Sequence, residues 1–210
     1  MQRSDAIRPP TIGIAGGIGG GKSTVARILR ELGCEVANSD DAARRVLAEP
    51  EVRARIATRA GPAVVAPDGS IDRAALGRAI FAEPSLRADI ERIMHPRIES
   101  IRRAQFAAAP ASTRAFVIDA PLLFEVGLDR ECDAVIFIDT PRELRLARVH
   151  AARGWSSAEL DRRESAQLPI EEKRRRSSDV VENSADEQEL RARTERTLRA
   201  IETRLGHPQA

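Results

Sequence analysis

Apolar positions along the chain fall into two alternating kinds of segment. Short, nearly unbroken apolar runs lie at 11–15, 35–38, 115–119, 134–139 and 179–183. They are rich in β-branched residues, as expected of strands in a parallel sheet buried on both faces. Between them run longer stretches of helical period. Several open on a recognisable start: Thr140-Pro141-Arg142-Glu143, Ser156-Ser157-Ala158-Glu159 and Ser184-Ala185-Asp186-Glu187 each set a hydroxyl three residues ahead of a Glu. That is the capping-box pattern. Strands alternating with helices predict an α/β fold built from βαβ crossovers.

The spacing is uneven. About 75 residues separate the second and third runs, with helical patterning at 46–59, 72–81 and 85–109 and a turn signal at Asp68-Gly69. One crossover needs far fewer, so an inserted helical subdomain is expected. A basic, helical stretch at 144–176 lies between the fourth and fifth strands. At 210 residues the chain is sized for one domain carrying such an insert. Thirty-four basic against 32 acidic residues leave a net charge of +2. That balance argues against a nucleic-acid or membrane-surface binder, and five Phe, one Trp and no Tyr offer little stacking surface for bases. No apolar run reaches the ~20 residues of a membrane helix, and the opening residues do not resemble a secretory signal. A cytoplasmic protein with neither nucleic acid nor membrane as partner is the expectation, a monomer with an oligomer left open. Cys34 and Cys132 are too few for a disulfide framework.

The chemistry concentrates in Gly16-Gly17-Ile18-Gly19-Gly20-Gly21-Lys22-Ser23, which matches G-x-x-x-x-G-K-[ST]. An apolar run precedes it and a helical pattern (Val25, Ile28, Leu29, Leu32) follows, the context a phosphate-binding loop requires. Glycines let consecutive backbone N–H groups turn inward toward phosphate oxygens. The helix N-terminus adds partial positive charge. Lys22 reaches the β- and γ-phosphates and Ser23 offers a hydroxyl to Mg²⁺. The bland alternative is a glycine-rich turn without a ligand. The pattern points to a nucleoside triphosphate but not to an acceptor.

Other residues are read less sharply. The second strand ends in Asn38-Ser39-Asp40-Asp41, and strand C-termini face the ligand crevice of open α/β sheets. Asp40 is the candidate general base, able to orient Mg²⁺ through water. The competing reading is that Asp40 or Asp41 caps a helix beginning near Ala42. Asp119 and Asp139 end apolar strands, where an acid can help hold a metal. Arg145, Arg148 and Arg153 lie on or just after the helix following the fourth strand. They are candidates to neutralise a transferring phosphate, or they form a solvated face, as Arg174–Arg176 do on the same reading. His95-Pro96 closes an apolar helical pattern, with Pro96 bending the helix and His95 partly buried. No N-K-x-D follows the fourth strand, where Asp139-Thr140-Pro141-Arg142 stands, which argues against a GTP-dependent switch. Another small-molecule kinase on the same core stays open.

Taken together, these segments resemble the dephospho-coenzyme A kinase family over nearly the whole chain. Gly16 to Thr24 is similar to its G-G-I-G-S-G-K-S-T, with Gly20 in the Ser position. Val36 to Arg44 resembles V-I-D-A-D-x-x-A-R, with Asn38 in place of the first Asp. Asp68-Gly69, Asp72-Arg73, Leu76 and Phe81 resemble D-G-x-L-D-R-x-x-L…F. His95-Pro96-Arg97-Ile98 matches H-P-x-I, and Pro121-Leu122-Leu123-Phe124-Glu125 matches P-L-L-F-E. Gln167, Lys173 and Asp179 to Asn183 fall where the family has Q, K and A-D-x-V-I-x-N. The resemblance implies a P-loop α/β/α core of five parallel strands (11–43, 113–144, 177–205), an inserted helical substrate subdomain (44–112) and a helical lid (145–176). It implies transfer of the ATP γ-phosphate to the ribose 3′-hydroxyl of dephospho-CoA, with Mg²⁺. Asp40, Lys22, Arg148 and Arg153 are then the expected catalytic residues. Gly17, Ile18, Gly19, Gly20, Gly21, Lys22, Ser23 and Thr24 would bind ATP. Arg44, His95, Pro96, Arg97, Pro121, Leu122, Leu123 and Glu125 would contact dephospho-CoA. Ser23, and Asp40 through water, would serve the metal.

Overall fold

The computed structural model of the chain describes residues 8–207. Among the described residues, those up to Ala37 together with those from Ala109 onward form one compact unit, and Asn38–Ala108 form another. In the first unit the apolar runs become strands β1 (Thr11–Gly16), β2 (Glu35–Asn38), β3 (Phe116–Asp119), β4 (Ala134–Asp139) and β5 (Asp179–Glu182). They form one sheet in the order β2-β3-β1-β4-β5. β1 runs parallel to β3 on one side, with Thr11 opposite Phe116, and to β4 on the other, with Ile12 opposite Ala134. β5 runs parallel to β4. Every residue of β1 is buried, because a central parallel strand has no solvent face.

Two helices, α1 (Lys22–Glu31) and α9 (Glu187–Arg204), share a core with the sheet. Val25, Ile28 and Leu29 of α1 and Leu198 and Ile201 of α9 join Ile12, Ile14, Ile136 and Ile138. The helical stretch after β4 divides into α6 (Arg142–Arg153), α7 (Ser157–Glu164) and α8 (Ile170–Arg176). Arg114, just ahead of β3, ties the sheet to α9 through a two-pronged pair with Glu202 at 2.9 and 2.7 Å.

The second unit contains α2 (Ser39–Ala48), α3 (Pro50–Ala60), α4 (Arg73–Ala82) and α5 (Pro84–Ala107). Val46, Val52, Ile56, Leu76, Leu86, Ile90, Ile93 and Met94 form its own core. It begins at Asn38 and closes at Ala108, where the sequence suggested 44 and 112. The helical patterning at 46–59 is divided between the end of α2 and most of α3. Pro50 disfavours helical backbone at Glu49, which sits at φ −65°, ψ 127°. The competing reading, a cap at Asp40 or Asp41, is not what forms. The helix starts at Ser39, and Asn38 is its N-cap, its Oδ1 accepting from Asp41 N at 2.9 Å.

Two of the three predicted capping boxes are likewise displaced. Ser156 caps α7 by accepting from Glu159 N, but Asp186 rather than Ser184 caps α9. Thr140 does not cap α6, whose N-cap position is Pro141. α5 continues through Pro96 as one helix, and His95 is exposed rather than partly buried.

Candidate active site

The glycine loop leaves the C-terminal end of β1, the central strand, and closes into α1. Its curvature needs glycine at two points above all. Gly19 has φ +75° and Gly21 has φ +89°, left-handed values that cost little only without a Cβ. A Cβ at Gly21 would also stand 2.3 Å from Asn183 Nδ2. Gly21 is the N-cap of α1 and supplies no capping side chain, which leaves the helix terminus as an anion site. Lys22 Nζ donates to Gly16 O and Gly17 O, both at 3.2 Å. The lysine is thereby folded back over the loop. Ser23, next along α1, is exposed.

The loop is pinned from behind. Gly20 O accepts from Thr140 Oγ1 at 2.8 Å and from Asn183 Nδ2 at 2.9 Å. Both donors are buried, Asn183 to 3 % exposure. Thr140 follows β4 and Asn183 follows β5, so the ends of two strands hold one carbonyl. The hydroxyl that the sequence assigns to a helix cap is spent on the loop.

α6 lies over the same loop. Its residues 145, 148 and 149 share one face, as helical spacing requires. Arg145 is buried, donates to Thr140 O and Ile18 O, and is ion-paired with Glu164. Its guanidinium packs so closely on Gly17 that a Cβ there would meet Nη1 at 2.7 Å. Arg148 donates through Nη2 to Asn183 Oδ1 at 3.3 Å. Its Nη1 is buried without a hydrogen-bond partner and lies 3.5 Å from where a Cβ on Gly21 would stand. A buried unpartnered guanidinium N–H is costly, and an anion at the loop would satisfy it. Arg153 is not brought to the loop. Five residues on from Arg148, it falls on another face of α6, exposed and stacked on Trp155 at 4.8 Å.

The segment after β3 serves mainly to pack. Leu123 is 2 % exposed and lies in the core, close enough to Gly13 that a Cβ there would meet its Cδ2 at 2.7 Å. Pro121 is exposed and Leu122 half-buried. Glu125 is held by Lys173 Nζ at 3.0 Å and by Leu168 N at 2.9 Å. Burial pushes the Glu125 carboxyl up, but the Leu168 amide and Lys173 more than offset it, leaving it below the ordinary value. Lys173 also donates to Gln167 Oε1 at 2.8 Å. A cavity of about 300 Å³ opens beside this cluster, lined by Gly17, Glu164, Gln167, Ile170 and Lys173 among others. Of the acids considered for a metal, Asp139 is ion-paired with Arg174 and Asp119 is buried at the end of β3. The Arg174–Arg176 run is therefore not a purely solvated face, since Arg176 also pairs with Asp129 and covers Phe124. Among the described residues no group of three His, Cys, Asp or Glu could hold a metal unaided. Any Mg²⁺ here would rest on phosphate oxygens, water and the exposed Ser23 hydroxyl, a donor set suited to that ion.

In the second unit, Asp40 lies exposed in the first turn of α2. Arg44 is paired with Asp41. Arg97 on α5 donates to Glu49 at 2.9 Å and Glu51 at 2.7 Å, joining α5 to the corner between α2 and α3. The Glu51 hydrogen bond raises its pKa further. His95 and Pro96 are exposed beside it on α5.

A glycine loop between the central strand of a parallel sheet and a helix, with a lysine and arginines converging on it, defines a P-loop nucleotide-binding core. The fold agrees: a shikimate kinase from Acinetobacter baumannii superposes with a TM-score of 0.55 at 18% identity over 96% of this chain and 98% of its own. The finer match is to the sequence model described as Dephospho-CoA kinase, which covers residues 10–189, and the chain belongs to that family. It is 42% identical over 207 residues to a dephospho-CoA kinase of Deinococcus radiodurans, covering 96% of this chain and 99% of that one. It is 40% identical to one of Syntrophotalea carbinolica, over 86% of each chain. A solved dephospho-CoA kinase from Campylobacter jejuni superposes with a TM-score of 0.66 at 26% identity, over 92% of this chain and 97% of that one. The chain is thus an ATP-dependent kinase.

Sequence reasoning missed the back of the site. Thr140 was assigned to a cap, and Asn183 was noted only as part of a resembling segment. The signal available was a polar residue directly after each of two apolar strands at the end that carries the loop.

Proposed function

We propose that the chain transfers the γ-phosphate of ATP to the 3′-hydroxyl of the ribose of dephospho-CoA, giving CoA and ADP, the last step of coenzyme A formation. The observation that carries this is family membership across residues 10–189. The loop amides from Gly17 to Thr24 bind the triphosphate, and Lys22 exchanges its loop carbonyls for phosphate oxygens. Arg148 meets charge developing on the transferring group, supported by its buried, unpartnered Nη1. Arg145 braces α6 against the loop. Mg²⁺, when bound, would neutralise charge on the β- and γ-phosphates, with Ser23, and Asp40 through water, as the chain's own oxygens for it.

Asp40 takes the proton from the 3′-hydroxyl, and its exposed carboxylate suits that role. Arg44, His95, Pro96, Arg97, Pro121 and Leu122 contact the acceptor. Leu123 and Glu125 act indirectly, by fixing the segment that carries Pro121 and Leu122. Arg153 has no support for a catalytic role from its place on Trp155.

A coupled assay of ADP release with ATP, Mg²⁺ and dephospho-CoA, with ATP alone as control, tests this. Release should require dephospho-CoA and yield CoA, while shikimate and nucleoside monophosphates stay inert. Lys22→Ala should lower kcat by about 10²-fold or more, and Asp40→Asn by about 10²-fold or more. Near-native turnover by Asp40→Asn would remove it as the base. ADP release indifferent to dephospho-CoA would overturn the acceptor.

A further inference from the structure

We propose that Asn183, assisted by Thr140, is a positioning residue that sets the direction of the Gly20–Gly21 peptide and of the Arg148 guanidinium for phosphate binding and transfer. The proposal rests on the phosphoryl-transfer reading above and extends it to residues behind the loop.

Three observations meet at one buried amide. First, Asn183 Nδ2 and Thr140 Oγ1 both donate to Gly20 O, at 2.9 and 2.8 Å, and so occupy both lone pairs of that carbonyl. A trans peptide is planar, with C=O and the next N–H pointing in opposite directions. Holding Gly20 O toward the strand ends therefore aims Gly21 N–H the other way, into the hollow of the loop. Without the two donors the peptide could rotate, and that amide would be lost to a phosphate oxygen.

Second, the other half of the Asn183 amide accepts from Arg148 Nη2 at 3.3 Å. One planar group thus links the loop backbone to the arginine whose Nη1 is buried without a partner. Asn is suited to this because it offers a donor and an acceptor in one rigid plane; Asp, nearly the same shape, lacks the donor when ionised. Third, the close approach is built into the loop. A Cβ at Gly21 would stand 2.3 Å from Asn183 Nδ2, so glycine there admits the asparagine as well as the positive φ.

The test compares variants by calorimetric titration with ADP and Mg²⁺ and by steady-state kinetics with ATP and dephospho-CoA. Asn183→Ala should weaken ADP binding about 10- to 100-fold, the span expected when a buried hydrogen-bonding group is removed. Its kcat should fall as well, through Arg148. Thr140→Val, which keeps shape and removes only the hydroxyl, should weaken binding in the same direction, and Thr140→Ser should restore it. If Asn183 acts through Arg148, the loss of kcat from Asn183→Ala should shrink clearly in an Arg148→Ala background. Thermal melts identify folded variants, and Thr140→Val keeps the test alive if Asn183→Ala does not fold. Native ADP affinity in folded Asn183→Ala, or in Thr140→Val, overturns the proposal for the loop. Losses in kcat that multiply independently overturn it for Arg148. Failure of the native chain to use dephospho-CoA would strike the acceptor reading instead, and the ADP titrations would still decide the role of Asn183.

Discussion

Only two of the 34 basic residues are lysine, and each ammonium meets two oxygens. Lys22 bends back to two loop carbonyls, both reached from one compact ammonium with three donors. Lys173 is 3 % exposed and meets Glu125 and Gln167 at 3.0 and 2.8 Å. Removing its charge would leave the Glu125 carboxylate, its side chain 17% exposed, held by the Leu168 amide without a counter-charge. Lys173→Met should therefore lose about 2–3 kcal/mol of stability, below the full cost of breaking a buried pair because Glu125 keeps some solvent contact. A urea midpoint equal to that of the native chain would show the cluster to be inert. Asn38 stands where the family pattern has an acid, and the structure shows a use for it: its side chain caps α2, which Asn does as well as Asp. Cys34 is a packing residue; burial pushes its thiol up to about 12, far from the range of a nucleophile.

At the scale of elements, the strands were legible because nothing local competes with an unbroken β-branched run. Caps were less so. Thr140…Glu143 and Ser184…Glu187 satisfy the capping pattern as written, yet Thr140 finds a stronger claim on its hydroxyl in Gly20 O, and Asp186 lies nearer the start of α9. The break at Pro50 follows from sequence by steric rule; the passage of α5 through Pro96 does not. The Arg114–Glu202 pair was invisible in sequence, its members 88 residues apart. It is nearly dry, with side-chain exposures of 15% and 2%. Arg114→Ala leaves the Glu202 carboxylate buried without its main partner and should cost about 3–5 kcal/mol. Replacing both residues by apolar ones of similar volume should recover most of that. Chemical denaturation measures both, and an Arg114→Ala chain as stable as the native one would show the pair to be dispensable.

Across the whole molecule, carboxylates held by arginines, lysines and amides dominate the response to acid. In Glu125 burial is outweighed by Leu168 N and Lys173, and in Asp179 burial is outweighed by Arg204 and Ser178; both carboxyls end below their ordinary values. A group depressed on folding adds stability that is complete above its unfolded pKa and is lost as pH falls through its folded one. Stability should thus be level from neutral pH to about 5 and decline increasingly below it, a trend that denaturant midpoints across pH 7 to 3 would reveal. A midpoint that rose on acidification would contradict the assigned pairings. What the sequence alone determined is the alternation of strands and helices, the phosphate loop with Lys22 and Ser23, and the family motifs, because each is written in neighbouring residues. What only the tertiary structure decided is which distant groups meet: Thr140 and Asn183 on Gly20, Arg148 rather than Arg153 at the loop, and Leu123 in the core. Those outcomes depend on strand order, helix facing and burial, which relate residues far apart in the chain and leave no local pattern.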